Sequence, residues 1–154
     1  TQNILDAFAF LREKGVYEDR IMRRVKYFVS GELYLKDCGG YGNQIVVAPD
    51  GQIGPCHGFL GTREFFGWNV NSKDSFDLFN DPIFTSWNNR HPFNMPECKD
   101  CSMISLCGGG CAYNAYVTSG GIMNKDQRIC EHTQIVLDWL LDDLWRNSPH
   151  NASK

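Results

Sequence analysis

Four cysteines stand within the stretch CKDCSMISLCGGGC, residues 98–111, and Cys38, Cys56 and Cys130 complete a set of seven. Thiols gathered this densely constrain the fold more than any other feature, because glycine-rich loops carrying ligands pack poorly until the sulfurs hold something. Disulfides are one way to hold them and metal is the other. Seven is an odd number to pair, and the N-terminus lacks the apolar core and small-residue cleavage site of a secretory signal. No apolar run approaches the length of a bilayer span. The chain therefore reads as cytoplasmic, a reducing compartment in which clustered cysteines bind metal rather than pair.

Metal need not be the whole of the fold. With 154 residues, 42% hydrophobic and 13% aromatic, the chain can bury the core of one ordinary domain. A net charge of -3 gives no global attraction to nucleic acid or to an anionic membrane. The local basic run Arg20, Arg23, Arg24 and Lys26 reads as the solvated face of a helix. The chain starts at Thr1 without an initiator methionine, which predicts a piece of a longer polypeptide.

Each interval between cysteines carries information. Two thiolates of a C-x2-C pair, Cys98 and Cys101, leave one tight turn toward a common centre, as in zinc and iron-sulfur sites. The longer step to Cys107 lets a loop pass round a bulky group, and distant Cys130 would complete a four-cysteine set. Cys111 follows Gly108, Gly109 and Gly110, where the lack of side chains allows a sharp turn and close approach to a second centre. Cys111 could thus join Cys38 and Cys56, although spacing alone leaves the division of the seven open.

The pattern around these residues predicts an α+β fold: a small metal-organised domain with a β-hairpin, several short helices, much irregular backbone and a C-terminal amphipathic helix. Apolar residues over 4–11 and, at helical spacing, over 21–29 predict two opening helices, the second stopped by Gly31. QIVVAPDGQIG reads as a hairpin, with a strand at 44–48, a Pro49-Asp50-Gly51 turn and a return strand that delivers Cys56. GFLGTREFFGWNV has no clean period and is expected to be irregular, packing over whatever the cysteines hold. Asp81-Pro82 caps a short helix through Ile83, Phe84 and Trp87 that Pro92 and Pro96 stop. Ile135, Val136, Trp139, Leu140, Leu144 and Trp145 mark the apolar face of the last helix, with Asp138, Asp142 and Asp143 toward water. Residues 148–154 read as a frayed tail.

Written out, C-x12-G-x4-C, a gap, C-x2-C-x5-C-x3-C, a gap and C resembles the seven-cysteine signature of the SPASM domain. That domain is the C-terminal auxiliary-cluster domain of many radical S-adenosylmethionine (SAM) enzymes. The match spans residues 38–130 and places Gly51 at the signature glycine. The resemblance implies two auxiliary 4Fe-4S clusters, one held by Cys98, Cys101, Cys107 and Cys130, the other by Cys38, Cys56 and Cys111. Two departures follow from the residues. Some relatives, such as anaerobic sulfatase maturases, carry a further cysteine six positions after the first, where this chain has Gln44. That difference points away from sulfatase maturation and toward either an open iron site or a fourth ligand from elsewhere. The family's C-x3-C-x2-C core is also missing, since Cys107-x3-Cys111 is followed at the required place by Asn114. The chain cannot cleave SAM alone, and SAM with a third 4Fe-4S cluster would belong to an absent core domain.

The resemblance therefore implies the auxiliary-cluster part, residues 31–147, of a radical SAM peptide maturase, with residues 1–30 as a helical linker adjoining an absent radical SAM barrel. The expected chemistry is a thioether or carbon-carbon crosslink in a ribosomal peptide, the domain serving electron transfer and substrate binding. The expected partners are the barrel of the parent chain, a precursor peptide, and a reducing or electron-accepting redox protein, with no nucleic acid and no membrane. Two other readings are a stand-alone ferredoxin-like carrier and a zinc-stabilised interaction module. No catalytic residue is assigned. His57 is expected to be an ordinary loop histidine, and Trp68, Trp87, Phe59, Phe65 and Phe66 core or cluster shielding. Tyr113 and Asn114 are placed for hydrogen bonding beside Cys111, and Asp126 and Glu131 read as cap or surface residues. Arg63, Lys99 or Arg128 could offset the charge of anionic centres. The glycine triplet is no phosphate loop, since no P-loop lysine pattern follows it.

Overall fold

The computed structural model describes residues 1–148; most of the expected tail lies outside the described residues. Among the described residues the fold is α+β, with five α-helices and one two-stranded antiparallel sheet. Helix α1 spans Gln2–Glu13 and α2 Asp19–Ser30. The Glu18 carboxylate opens α2 by accepting from the Arg20 and Ile21 amides, both at 2.9 Å, and Gly31 closes it in the left-handed conformation. Leu5 and Phe8 of α1 and Ile21 of α2 bury against Val136 and Leu140 of α5, which spans Gln127–Arg146. Arg12 adds a two-pronged contact to Asp143 at 2.8 and 2.9 Å, a surface pair that orients α1 on α5 and contributes little stability.

The predicted hairpin is present but short. Strand β1, Val46–Val47, pairs with β2, Ile53–Gly54, in the register Val46 to Gly54 and Val47 to Ile53. Its turn depends on Gly51, whose φ is +87° and whose amide donates to Ala48 at 2.8 Å. A Cβ there would sit 2.7 Å from Asn69 Oδ1 and from Asn71 Nδ2, so sterics as well as backbone favour glycine. Gly51→Ala is expected to destabilise the domain by about 1–3 kcal/mol, read as a lower urea midpoint with an unchanged slope.

Helix α3, Pro82–Asn88, starts where Asp81-Pro82 predicted, the Asp81 carboxylate accepting from Ile83 and Phe84 at 2.9 and 3.1 Å. It delivers Trp87, with Ile83 packed alongside, to the second core, which gathers Tyr41, Ala48, Cys56, Phe59, Phe66, Trp87, Ala112 and Ile122. GFLGTREFFGWNV is irregular apart from a 3-10 turn and one bridge from Gln52 to Asn69. Helix α4, Ala112–Ser119, was not anticipated, because AYNAYVTS carries no clean apolar stripe.

Two readings of helix faces need correction. Val136 and Leu140 are buried on α5, but Ile135, Leu144 and Trp145 are exposed, since only one stripe of a straight helix meets α1 and α2. The basic run is not uniformly solvated either. Arg24 is buried, because it lies three residues after Ile21 on the inward face of α2 and packs over Tyr34.

Candidate metal centre

All seven cysteines are free thiols, and the influences of one sulfur on another fall into two sets. Cys98 and Cys101 leave the short 3-10 turn Pro96–Cys98 and the turn after it, Cys107 precedes the glycine triplet, and Cys130 lies in the first turn of α5. Burial pushes the Cys98 thiol up, and Cys107 and Cys101 push it further. Cys130 is pushed up to about 11 by burial and then by Cys107, Cys98 and Cys101. The second group forms at the other side of the triplet. Burial raises the Cys56 thiol, with further upward pushes from Cys111 and Cys38. Cys56 follows β2 by one residue and Cys111 caps α4, so both are set by regular elements.

The triplet is the hinge between the groups. Gly108, Gly109 and Gly110 take φ of +68°, +82° and +66°, three successive left-handed residues that side chains would strain. A Cβ on Gly108 would sit 2.7 Å from the Asp37 amide nitrogen, and one on Gly110 3.0 Å from Asp126 Cβ.

Amides aim at the sulfurs by a repeated local device. The Gly40 amide donates to Cys38 Sγ at 3.4 Å, and the Gly58 and Gly109 amides favour the thiolates of Cys56 and Cys107. In each case the donor is a glycine two residues after the cysteine, and the sequence signal is C-x-G. Such bonds favour the charged thiolate and are the means by which proteins tune metal-bound sulfur. The buried hydroxyl of Thr133 has no hydrogen-bond partner, and its presence favours the Cys107 thiolate.

Other expected residues fall in varied places. Asp126 is not a surface residue: it is buried at the N-cap position of α5, and its Oδ2 accepts from the Cys111 amide at 3.2 Å and the Asn114 side chain at 3.3 Å. It thereby ties the Cys111 segment to the helix bearing Cys130. Glu131 and His57 are exposed. Phe59, Phe66 and Trp87 are buried beside Cys56, and Tyr113 packs edge-on to Phe59. Gln44 donates to the Pro55 carbonyl at 2.9 Å, next to Cys56. Arg63 is drawn to Asp50, Arg128 is mostly exposed beside Asp126, and Lys99 is exposed. The buried cations are Arg90 and Arg24, which sequence reasoning missed because no local pattern turns an arginine inward.

Among the described residues, no three His, Cys, Asp or Glu side chains are drawn close enough to hold a single ion. The donor set nonetheless suits iron-sulfur chemistry: thiols only, grouped by four and three, with amide donors at the sulfurs. No described helix is long and apolar enough to cross a membrane.

No family model matches the chain. It is 28% identical over 120 residues to an uncharacterized protein of Archaeoglobus fulgidus, covering 78% of this chain and 28% of that protein. It is 26% identical over 107 residues to the radical SAM cyclopropyl synthase TigE of Paramaledivibacter caminithermalis, covering 70% and 21%. It is 30% identical over 96 residues to the PqqA peptide cyclase of a Methylobacterium species, covering 60% and 25%. The chain thus spans 21–28% of the length of these relatives and is similar, over that part, to a radical SAM cyclopropyl synthase and to a peptide cyclase.

Proposed function

We propose that this chain is the auxiliary iron-sulfur part of a radical SAM enzyme that modifies a peptide. Cys98, Cys101, Cys107 and Cys130 would hold one 4Fe-4S cluster and Cys38, Cys56 and Cys111 a second. What supports the reading is a set of seven free thiols whose influences on one another fall into two sets, with a left-handed glycine loop between Cys107 and Cys111. When bound, such clusters supply one-electron transfer, and an iron with an open position offers a site for a substrate thiolate or amide.

The chain's own residues do the rest. The Gly40 amide donates to Cys38, and the Gly58 and Gly109 amides favour the charged sulfurs of Cys56 and Cys107. Trp87, Phe59 and Tyr41 exclude water from the three-cysteine side, which lowers the local dielectric. Asp126 holds the Cys111 amide and fixes the direction in which that thiol leaves α4. Cleavage of SAM and hydrogen abstraction would take place in a barrel of the parent chain, with a precursor peptide as substrate and a redox protein as electron partner. Of the two crosslinks, thioether and carbon-carbon, the name of one relative, a cyclopropyl synthase, supports the carbon-carbon bond.

The test is iron, sulfide and zinc content with an absorption spectrum on protein purified without oxygen. About eight irons per chain with broad visible absorption are expected for two cysteine-ligated clusters. Colourless protein carrying stoichiometric zinc would overturn the proposal in favour of a structural module.

A further inference from the structure

Arg90 is 0% exposed, yet among the described ion pairs it has no carboxylate partner. Its guanidinium is spent on neutral acceptors. Nε donates to Tyr41 Oη at 3.0 Å, Nη2 to the Gly109 carbonyl at 2.6 Å, and Nη1 to the carbonyls of Asn124, at 3.0 Å, and Ile122. Gly109 lies between Cys107 and Cys111, and Asn124 lies in the loop that leads into the helix of Cys130. Tyr41 extends the network to Cys38, since its amide donates to the Cys38 carbonyl at 3.3 Å. The Tyr41 hydroxyl donates to Gly110 at 2.5 Å and accepts from the Ala112 amide at 2.8 Å. One side chain therefore ties together segments from both cysteine groups.

Hydrogen bonds satisfy the donors but not the charge. An arginine cannot shed its proton, and a buried cation without an opposite charge is costly. The sulfurs can supply negative charge around it, and so can the buried carboxylate of Asp126, two residues after Asn124. The Cys98 thiolate is favoured by Arg90, and the Tyr41 hydroxyl feels Arg90 together with Cys38 and Cys111. Thiolate-ligated iron-sulfur centres are anionic and become more so on reduction, so a buried cation near them favours the reduced state.

Resting on the two-cluster reading above, we propose that Arg90 is a positioning residue shared by both centres, whose unpaired charge raises the reduction potential of each. The step concerned is uptake of one electron by each centre, with no bond made or broken and the electron supplied in the test by titanium(III) citrate.

The test compares wild type, Arg90→Gln and Arg90→Lys, purified without oxygen, by iron content and by redox titration followed by electron paramagnetic resonance. Arg90→Gln is expected to keep iron and to lower both midpoints by about tenfold in the one-electron equilibrium, 59 mV. Arg90→Lys, which keeps the charge, is expected to stay within about threefold of wild type, since it retains the point charge but loses the fork. Unmoved midpoints in Arg90→Gln, or movement of one alone, would overturn the proposal while leaving the clusters established. If Arg90→Gln fails to hold iron, Arg90→Lys decides. Iron retained at near-wild-type midpoints upholds the charge role, and loss of iron or lowered midpoints assigns Arg90 to hydrogen bonding alone. Wild type without iron-sulfur signals would overturn the two-cluster reading itself, and this proposal with it.

Discussion

Replacing Cys107 with alanine is expected to remove about half of the iron, four atoms of the eight that two 4Fe-4S clusters contain. Replacing Cys56 should remove the other half. The expectation comes from the way the thiols act on one another. Cys107 pushes Cys98 and Cys130 up, whereas Cys56 is pushed by Cys111 and Cys38. Cys107 is also set by its surroundings, since the Thr133 hydroxyl and the Gly109 amide both favour its thiolate. A cluster missing this ligand would lose its best-supported corner. The two variants should differ in which paramagnetic signal survives as well as in iron content. Equal loss of all iron from both, with native circular dichroism retained, would count against two separable centres.

Stripping the metal from the wild-type chain is expected to release most of the backbone order between residues 38 and 130 and to leave α1, α2 and the later turns of α5. The reason is the distribution of packing. The three helices bury Leu5, Phe8, Ile21, Val136 and Leu140 among themselves, a core that contains no cysteine. The rest has a sheet of two residues per strand and a core that includes Cys56 itself, with Cys38 packed against it. A domain's net stability is about 5–15 kcal/mol, and apparent binding free energies of structural metals in small domains reach about 10–16 kcal/mol. Loss of such a term is enough to unfold a region held by loops. Hydrogen exchange read by mass spectrometry on loaded and chelated protein checks this by segment. Unchanged protection over 38–130 would sink it.

What the sequence disclosed divides along physical lines. Features with a local cause were legible: Asp81-Pro82 opens α3, Gly31 ends α2, and Pro49-Asp50-Gly51 turns the hairpin. The glycine triplet was legible as a place for a sharp turn, and all three residues are left-handed. Features set by tertiary contact were not. AYNAYVTS forms a helix because Ala112 and Ala115 meet neighbours distant in sequence, and its weak stripe gave no warning. Arg24 and Arg90 are turned inward by partners that folding supplies, and composition treats every arginine as a surface charge. Asp126 read as a cap, a role it has by position on α5, but its carboxylate serves the amide of a residue fifteen positions earlier. The C-x-G donors were visible in the string, but their meaning appears only once the amide is seen beside the sulfur.

The left-handed loop has a further consequence for charge movement. Only Gly108, Gly109 and Gly110 separate Cys107 from Cys111, so even a fully extended chain could hold their Cα atoms no more than about 14 Å apart. Under the proposed ligation the two clusters are tethered by a covalent leash of four peptide units. An electron that reaches one could then tunnel to the other without any domain motion.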